Sequence, residues 1–148
     1  MKNPLVVEVT RGASIESEHL VDIALVDNTG NLVEGWGESS RPTLPRSALK
    51  PIQATPLITE GLADSESLTA QQLAMACSSH NGEARHVEVV DRWLERLGFS
   101  HNVLECGAHL PSNPQAARDL ALSGIQPDSR HNNCSGKHTG FVCLSKHF

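Results

Sequence analysis

The chain has 148 residues, of which 39% are hydrophobic and 20% are charged, and its net charge is −5. These are globular proportions, and they exclude a disordered or low-complexity chain. With an acidic balance, two Trp, three Phe and no Tyr, the chain offers neither a basic face nor an aromatic platform, so we expect no nucleic-acid partner.

The N-terminal residues and the cysteines indicate in which cellular compartment the protein resides. Residues 1–12 lack the longer apolar region and the small-residue cleavage site of a signal peptide. No stretch approaches the roughly 20 apolar residues of a membrane span, so we expect no membrane partner. The irregular spacing of Cys77, Cys106, Cys134 and Cys143 favours free thiols or metal ligands over disulfides. We therefore predict a cytoplasmic protein.

The first third of the chain predicts a sheet. Residues 5–10 form a run rich in β-branched residues, and residues 19–27 alternate apolar and polar side chains with period two. A turn cluster at 28–31 separates this second strand from a third at 32–36, so we predict a hairpin over 19–37.

Helical patterns follow. Residues 47–61 predict a helix in which Pro51 falls in the first turn and Pro56 implies a kink or a break. Further helices are predicted over 68–76 with Thr69 as N-cap, over 83–97 with Gly98 as the stop, over 113–122, and from 137 onward. We predict one α+β, or mixed α/β, domain over 1–148. The last helix ends on apolar residues, which implies exposed apolar surface and allows a homodimer.

Ser47 and Lys50 form the sharpest candidate for chemistry. Three residues apart on a helix, they share one face. A serine hydroxyl needs a base to become a nucleophile, and a lysine serves when it is neutral. The alternative is that a Ser and a Lys at this spacing occur by chance, as they do on many helices.

Three further blocks are polar. Residues 77–83 expose Ser79 and His80 at a chain reversal, although Ser, Asn and Gly also form ordinary helix caps. The pattern of residues 106–113 favours a tight loop over a pair of metal ligands. Residues 131–140 hold two His, a Cys and a Lys, which is compatible with a metal site. A phosphate-binding loop is excluded there because the upstream glycine and the preceding strand are missing.

Together and in order, four blocks resemble one family. They are Arg46 to Pro51, residues 77–83, the Cys-Gly-x-His-x-Pro run at 106–111, and the Asn-Asn-Cys-Ser-Gly-Lys-His run at 132–138. This set is similar to the signatures of the bacterial L-asparaginase II family, the enzymes similar to inducible rhizobial asparaginases and unrelated to threonine-nucleophile asparaginases. The resemblance extends to about residue 141.

The resemblance implies a fold like that of serine β-lactamases and penicillin-binding proteins, of which this chain would be the N-terminal half. It implies hydrolysis of the side-chain amide of L-asparagine to L-aspartate and ammonia. Ser47 would be the nucleophile, Lys50 its base, and Ser79 a second active-site serine. Substrate binding would fall to His80, Asn81, Asn133 and His138, and zinc to Cys134 and Lys137.

Members of this family are more than twice as long as this chain, and a second cysteine ligand and a second lysine would lie in the additional part. We therefore expect a truncated enzyme that hydrolyses L-asparagine poorly or not at all. Two other functions stay open from the sequence. One is a non-catalytic metal-binding or partner-binding module, and the other is a penicillin-recognising acyl-serine enzyme.

Overall fold

A computed structural model describes residues 2–148, which divide into two compact units. The first unit ends at Leu44, and the second is Pro45–Phe148. The predicted single domain over 1–148 stays a prediction.

Two antiparallel hairpins make up the first unit. Strand β1 (Leu5–Arg11) pairs with β2 (Ser14–Val21), and β3 (Ile23–Val26) pairs with β4 (Leu32–Trp36). The turn between β3 and β4 forms because the Asp27 carboxylate accepts backbone N–H bonds from Thr29 and Asn31, each 2.9 Å long.

The prediction of one continuous strand over 19–27 was wrong. Residues up to Val21 pair with β1, while the residues from Ile23 onward pair with β4, so the second hairpin spans 23–36 and not 19–37. The Asp22 carboxylate accepts the Glu38 N–H at 2.8 Å, which accompanies the change of partner. Period-two alternation continues through such a switch, so the sequence pattern could not reveal it.

Six helices lie in the second unit as it is described. They are α1 (Lys50–Thr59), α2 (Leu62–Ser65), α3 (Ala70–Cys77), α4 (Ala84–Leu97), α5 (Pro114–Leu122) and α6 (Ser135–His147). The helical and strand content confirms the predicted mixed α/β class. The β-lactamase-like arrangement stays a prediction.

The predicted helix over 47–61 differs from the structure at both ends and at Pro56. Residues Arg46–Leu49 form a 3-10 turn before α1 begins at Lys50. The helix then continues through Pro56 to Thr59, so a break there was the wrong alternative. A proline removes one backbone donor, and the packed Leu57 that follows it keeps this part of the helix in the core.

Local capping agrees with the prediction for three helices. Thr69 and Gln72 form a reciprocal capping box that starts α3. Asn113 caps α5 by accepting two backbone N–H bonds. Gly98 ends α4 in the left-handed conformation that glycine adopts most easily.

The core of the second unit forms where α1, α3, α4 and α6 meet. Trp93 and Val90 on α4 are fully buried, and Cys143 on α6 packs in the same cluster as Trp93. Helix α6 approaches α3 very closely at Gly136. A Cβ at this position would lie only 2.6 Å from the Met75 carbonyl oxygen. None of the helices within residues 2–148 is long and apolar enough to cross a membrane.

Candidate active site

Three helix ends meet in the second unit. Helix α1 begins at Lys50, α3 ends at Cys77, and α6 begins at Ser135. The Lys50 amine donates a 3.0 Å hydrogen bond to the Ser78 carbonyl oxygen, which ties the first end to the second. The backbone N–H of His80 donates a 3.1 Å hydrogen bond to the Asn133 carbonyl oxygen, which ties the end of α3 to the start of α6.

Ser47, Ser79 and Lys50 form a hydrogen-bonded chain at this junction. The Ser47 Oγ lies 3.1 Å from the Ser79 Oγ. The Lys50 Nζ lies 2.6 Å from the same Ser79 Oγ. Lys50 is only 2% exposed, whereas both serines are exposed. The chain therefore runs from a surface hydroxyl to a buried amine.

Ser79 occupies the position between the other two groups. The sequence places Lys50 beside Ser47, but Lys50 donates to Ser79, and Ser79 contacts Ser47. A proton can therefore pass between Ser47 and Lys50 through the Ser79 hydroxyl. The role of each group in catalysis stays a prediction.

The backbone just before Ser47 is strained. Arg46 has a φ of +47°, in the left-handed region that side-chain-bearing residues rarely adopt. Outliers of this kind cost about 1–3 kcal/mol and concentrate at functional sites. The strained turn presents Ser47 at the surface one residue later. Nothing in the residue types of this turn predicts it.

His80 lies in the interior and is 5% exposed. Its Nδ1 accepts the Gly82 N–H at 3.1 Å, and its Nε2 lies 2.8 Å from the Ser135 Oγ. Burial, followed by the charges of His86, Lys50 and His131, lowers the pKa of His80 to about 4. Both ring nitrogens are engaged within the protein, so its assignment as a substrate ligand stays a prediction without support from these contacts.

The two asparagines predicted to bind substrate also make contacts within the protein. The Asn81 Oδ1 accepts a 3.1 Å bond from the Ser112 hydroxyl, and the Asn81 carbonyl accepts the Asn113 N–H at 3.3 Å. Asn133 contributes its backbone carbonyl to His80. These contacts order the loops around the junction, and the substrate-binding role of both residues stays a prediction.

Cys134, Lys137 and His138 lie at the start of α6. Cys134 is the N-cap residue, and its N–H donates to the Asn132 Oδ1 at 2.9 Å. The Lys137 amine lies 5.4 Å from the centre of the Phe141 ring. Burial, followed by the charges of Lys137 and Lys50, lowers the pKa of His138. His138 therefore lies within electrostatic range of the buried amine.

The residues present do not form a zinc site by themselves. Across residues 2–148, no group of three or more His, Cys, Asp or Glu side chains is placed to hold a metal ion. Cys134 and Lys137 supply two donors, whereas catalytic zinc keeps three protein ligands and structural zinc four. The presence of zinc stays a prediction.

Two cavities flank this region of the second unit. One of about 400 Å³ is lined by Ser78, Ser79 and His86, so it borders one member of the hydrogen-bonded chain, Ser79. A larger one of about 780 Å³ lies between α4 and α5 and includes none of the three hydrogen-bonded groups. The smaller cavity is therefore the one of the two that reaches the hydrogen-bonded chain, at Ser79.

Sequence reasoning missed the part that Ser135 plays. Its side chain is fully buried, accepts from the His80 ring, and donates to the Arg130 carbonyl at 2.8 Å. Ser135 stood inside the polar run 131–140, but a serine beside a helix start is an ordinary cap by its residue type. Only its distance from His80 identifies it.

Comparison with models of known protein families identifies a family for this chain. The family model for L-asparaginase II matches residues 7–148, which is nearly the whole chain and includes all four blocks of polar residues. No curated protein matches the sequence. The chain thus belongs to the L-asparaginase II family.

Proposed function

We propose that this chain is an amidohydrolase that cleaves the side-chain amide of L-asparagine, with Ser47 as its nucleophile. Family membership supports an asparaginase-type function in general. The observation that carries the proposed mechanism is the continuous path of hydrogen bonds from Ser47 through Ser79 to the buried amine of Lys50.

In the proposed first step, the Ser47 Oγ attacks the amide carbon of the substrate. The Ser47 proton passes to the Ser79 Oγ as the Ser79 proton passes to Lys50, which must be neutral to accept it. The carbon–nitrogen bond then breaks, and the proton held by Lys50 returns through Ser79 to the leaving ammonia. An ester of aspartate on Ser47 remains.

In the proposed second step, water attacks that ester. The water proton follows the same path to Lys50, and it returns to the Ser47 Oγ as L-aspartate leaves. The cavity beside Ser79 is large enough for a small amino-acid amide. His138, half-buried and within electrostatic range of Lys50, is the proposed substrate contact from α6.

The test is release of ammonia from millimolar L-asparagine by the purified chain, with Ser47→Ala and Ser79→Ala compared in parallel. Ser123→Ala, which removes an exposed hydroxyl at the end of α5, is the matched control. We expect slow release, as for a truncated enzyme, that Ser47→Ala abolishes, that Ser79→Ala lowers further and that Ser123→Ala leaves unchanged. Release that survives Ser47→Ala contradicts the proposed nucleophile. No release by the wild-type chain would mean that the truncated enzyme is inactive, and it would contradict the proposal that this chain itself hydrolyses L-asparagine.

The same assay separates the alternatives. A fluorescent penicillin that acylates Ser47 while asparagine gives no ammonia would indicate a penicillin-recognising enzyme. Added zinc tests the predicted metal, and the turnover number tests the expected low rate. The β-lactamase-like fold, a cytoplasmic location and a homodimer stay predictions.

A further inference from the structure

We infer that His80 is a positioning residue for Ser79, which it holds by tying the segment 78–82 to the start of α6 through Ser135. The inference rests on the proposed function, because it assigns Ser79 a part in the proton path. It gives His80 a different role from that of a substrate ligand.

The hydrogen bonds of the ring determine where its proton lies. The Gly82 N–H can only donate, so the His80 Nδ1 that receives it carries no proton. The ring proton is therefore on Nε2, where it is donated to the Ser135 Oγ. The Ser135 hydroxyl uses its own proton on the Arg130 carbonyl. Every donor and acceptor of this pair has one partner.

The surroundings of the ring favour this neutral form. His80 and Ser135 are both buried, and the groups that face the ring are Lys50 from α1, His86 from α4 and His131 from the loop before α6. The His86 ring lies 5.1 Å from the His80 ring, centre to centre. A second ring proton would place an N–H against the Gly82 N–H, which leaves both without an acceptor.

The connection to Ser79 is direct along the backbone. Two hydrogen bonds hold residue 80. Its ring bonds to the Ser135 hydroxyl, and its backbone N–H bonds to the Asn133 carbonyl. Ser79 precedes it and must hold its hydroxyl 2.6 Å from Lys50 and 3.1 Å from Ser47. A displacement of about 1 Å breaks such bonds, and misplacement of that size can lower a rate by about 100-fold.

The first test compares kcat and KM for L-asparagine in wild type, His80→Ala and His80→Gln. A glutamine amide places an N–H near the position of Nε2, so it restores part of the bond to Ser135. We expect kcat to fall about 10- to 100-fold in His80→Ala, to recover partly in His80→Gln, and KM to stay within about twofold in both. His19→Gln, an exchange at an exposed histidine of β2 outside the four blocks, is the matched control.

The opposite pattern overturns the inference. A substrate ligand would raise KM with kcat unchanged in both variants, and a general acid or base would move the pH profile of kcat without rescue by glutamine. If His80→Ala does not fold, His80→Asn replaces it. Asparagine keeps an acceptor for Gly82 but is too short to reach Ser135, so it should lose the kcat that glutamine retains.

The second test does not need asparaginase activity. Nitrogen NMR of the wild-type chain should show His80 as the Nε2–H tautomer from about pH 5 to about pH 8, and the opposite tautomer or titration within this range overturns the inference. A crystal structure of His80→Ala should show the Lys50–Ser79 bond lengthened beyond hydrogen-bond distance. If that bond persists, His80 does not position Ser79, whatever the wild-type chain hydrolyses.

Discussion

At the residue scale, the proposed chemistry depends on the buried amine of Lys50. Its partners are the Ser79 hydroxyl and the Ser78 carbonyl, both of them neutral oxygens. We expect Lys50→Met, which keeps most of the buried volume, to lower kcat by about 100- to 10,000-fold while the chain remains folded. The measurement is kcat together with the far-ultraviolet circular dichroism spectrum.

Lys146→Met removes an exposed amine near the end of α6 and is the matched control for this experiment. It should leave kcat unchanged. A Lys50→Met variant that folds and keeps its kcat would show that Ser47 is activated by another group.

The lowered pKa of His80 makes the stability of the chain depend on pH. In the folded chain the pKa of His80 is about 4, against about 6.5 when the chain is unfolded. Between these values the unfolded chain binds a proton that the folded chain does not. The free energy of unfolding should therefore fall as the pH is lowered from about 6.5 to about 4.

Urea unfolding at a series of pH values measures this effect, with His80→Gln as the comparison. Burial also lowers the pKa of His86 and His138, so wild type should show a slope to which several groups contribute. The slope should be smaller in His80→Gln. Equal slopes in the two proteins would mean that His80 is not buried in its neutral form.

At the element scale, the close approach of α6 to α3 depends on one glycine. A Cβ at Gly136 would meet the Met75 backbone at 2.6 Å, whereas a Cβ at Gly140 would come no closer than 3.4 Å to any neighbour. We expect Gly136→Ala to destabilise the chain by about 1–3 kcal/mol through overpacking. Gly140→Ala should not destabilise the chain, because the added methyl group makes only ordinary van der Waals contacts and alanine is the better helix former by about 1 kcal/mol.

Chemical denaturation of the two variants gives the comparison directly. Both exchanges add one methyl group to the same helix, so the difference between them isolates the contact with Met75. Equal stability of the two variants would contradict the described distance between α3 and α6.

The elements that could be predicted from the sequence are those with local causes. Helices α3, α4 and α5 have caps and stops within their own residues, at Thr69, Gly98 and Asn113, and these determine their ends. The change of strand partner at Asp22 and the continuation of α1 through Pro56 depend on contacts with distant residues. Local pattern contains no information about such contacts.

The candidate site divides in the same way. Ser47, Lys50 and Ser79 could be singled out because their residue types and the family resemblance both indicate them. The order in which they are bonded could not, since it depends on how the end of α3 meets the start of α1. Ser135 was missed because its partner, His80, lies 55 residues away.

At the scale of the whole molecule, the buried apolar side chains of residues 2–148 all lie in the second unit, between Ala54 and Cys143. The strands of the first unit expose much of their apolar surface, for example at Leu20 and Val33. A two-stranded hairpin is marginally stable at best in water. We therefore expect residues 45–148 to fold alone and residues 1–44 to lack stable structure alone.

Separate expression of the two segments tests this expectation. Residues 45–148 should show cooperative thermal unfolding followed by the fluorescence of Trp93, which is fully buried in this unit. Residues 1–44 should show no cooperative transition. If residues 45–148 do not fold, the second unit requires the first, and the core described above is not sufficient for stability.

The meeting of three helix ends also has a consequence for protein synthesis. Ser47 and Ser79 are synthesised early. The residue that anchors His80 is Ser135, which is translated 55 residues after His80. At 5–20 residues per second, Ser135 is added on the order of ten seconds after Ser47. Throughout that interval the nascent chain has the proposed nucleophile but lacks the anchor of the proposed proton path. If the proposed mechanism holds, Ser47 of a growing chain should therefore be inert until Ser135 has been added.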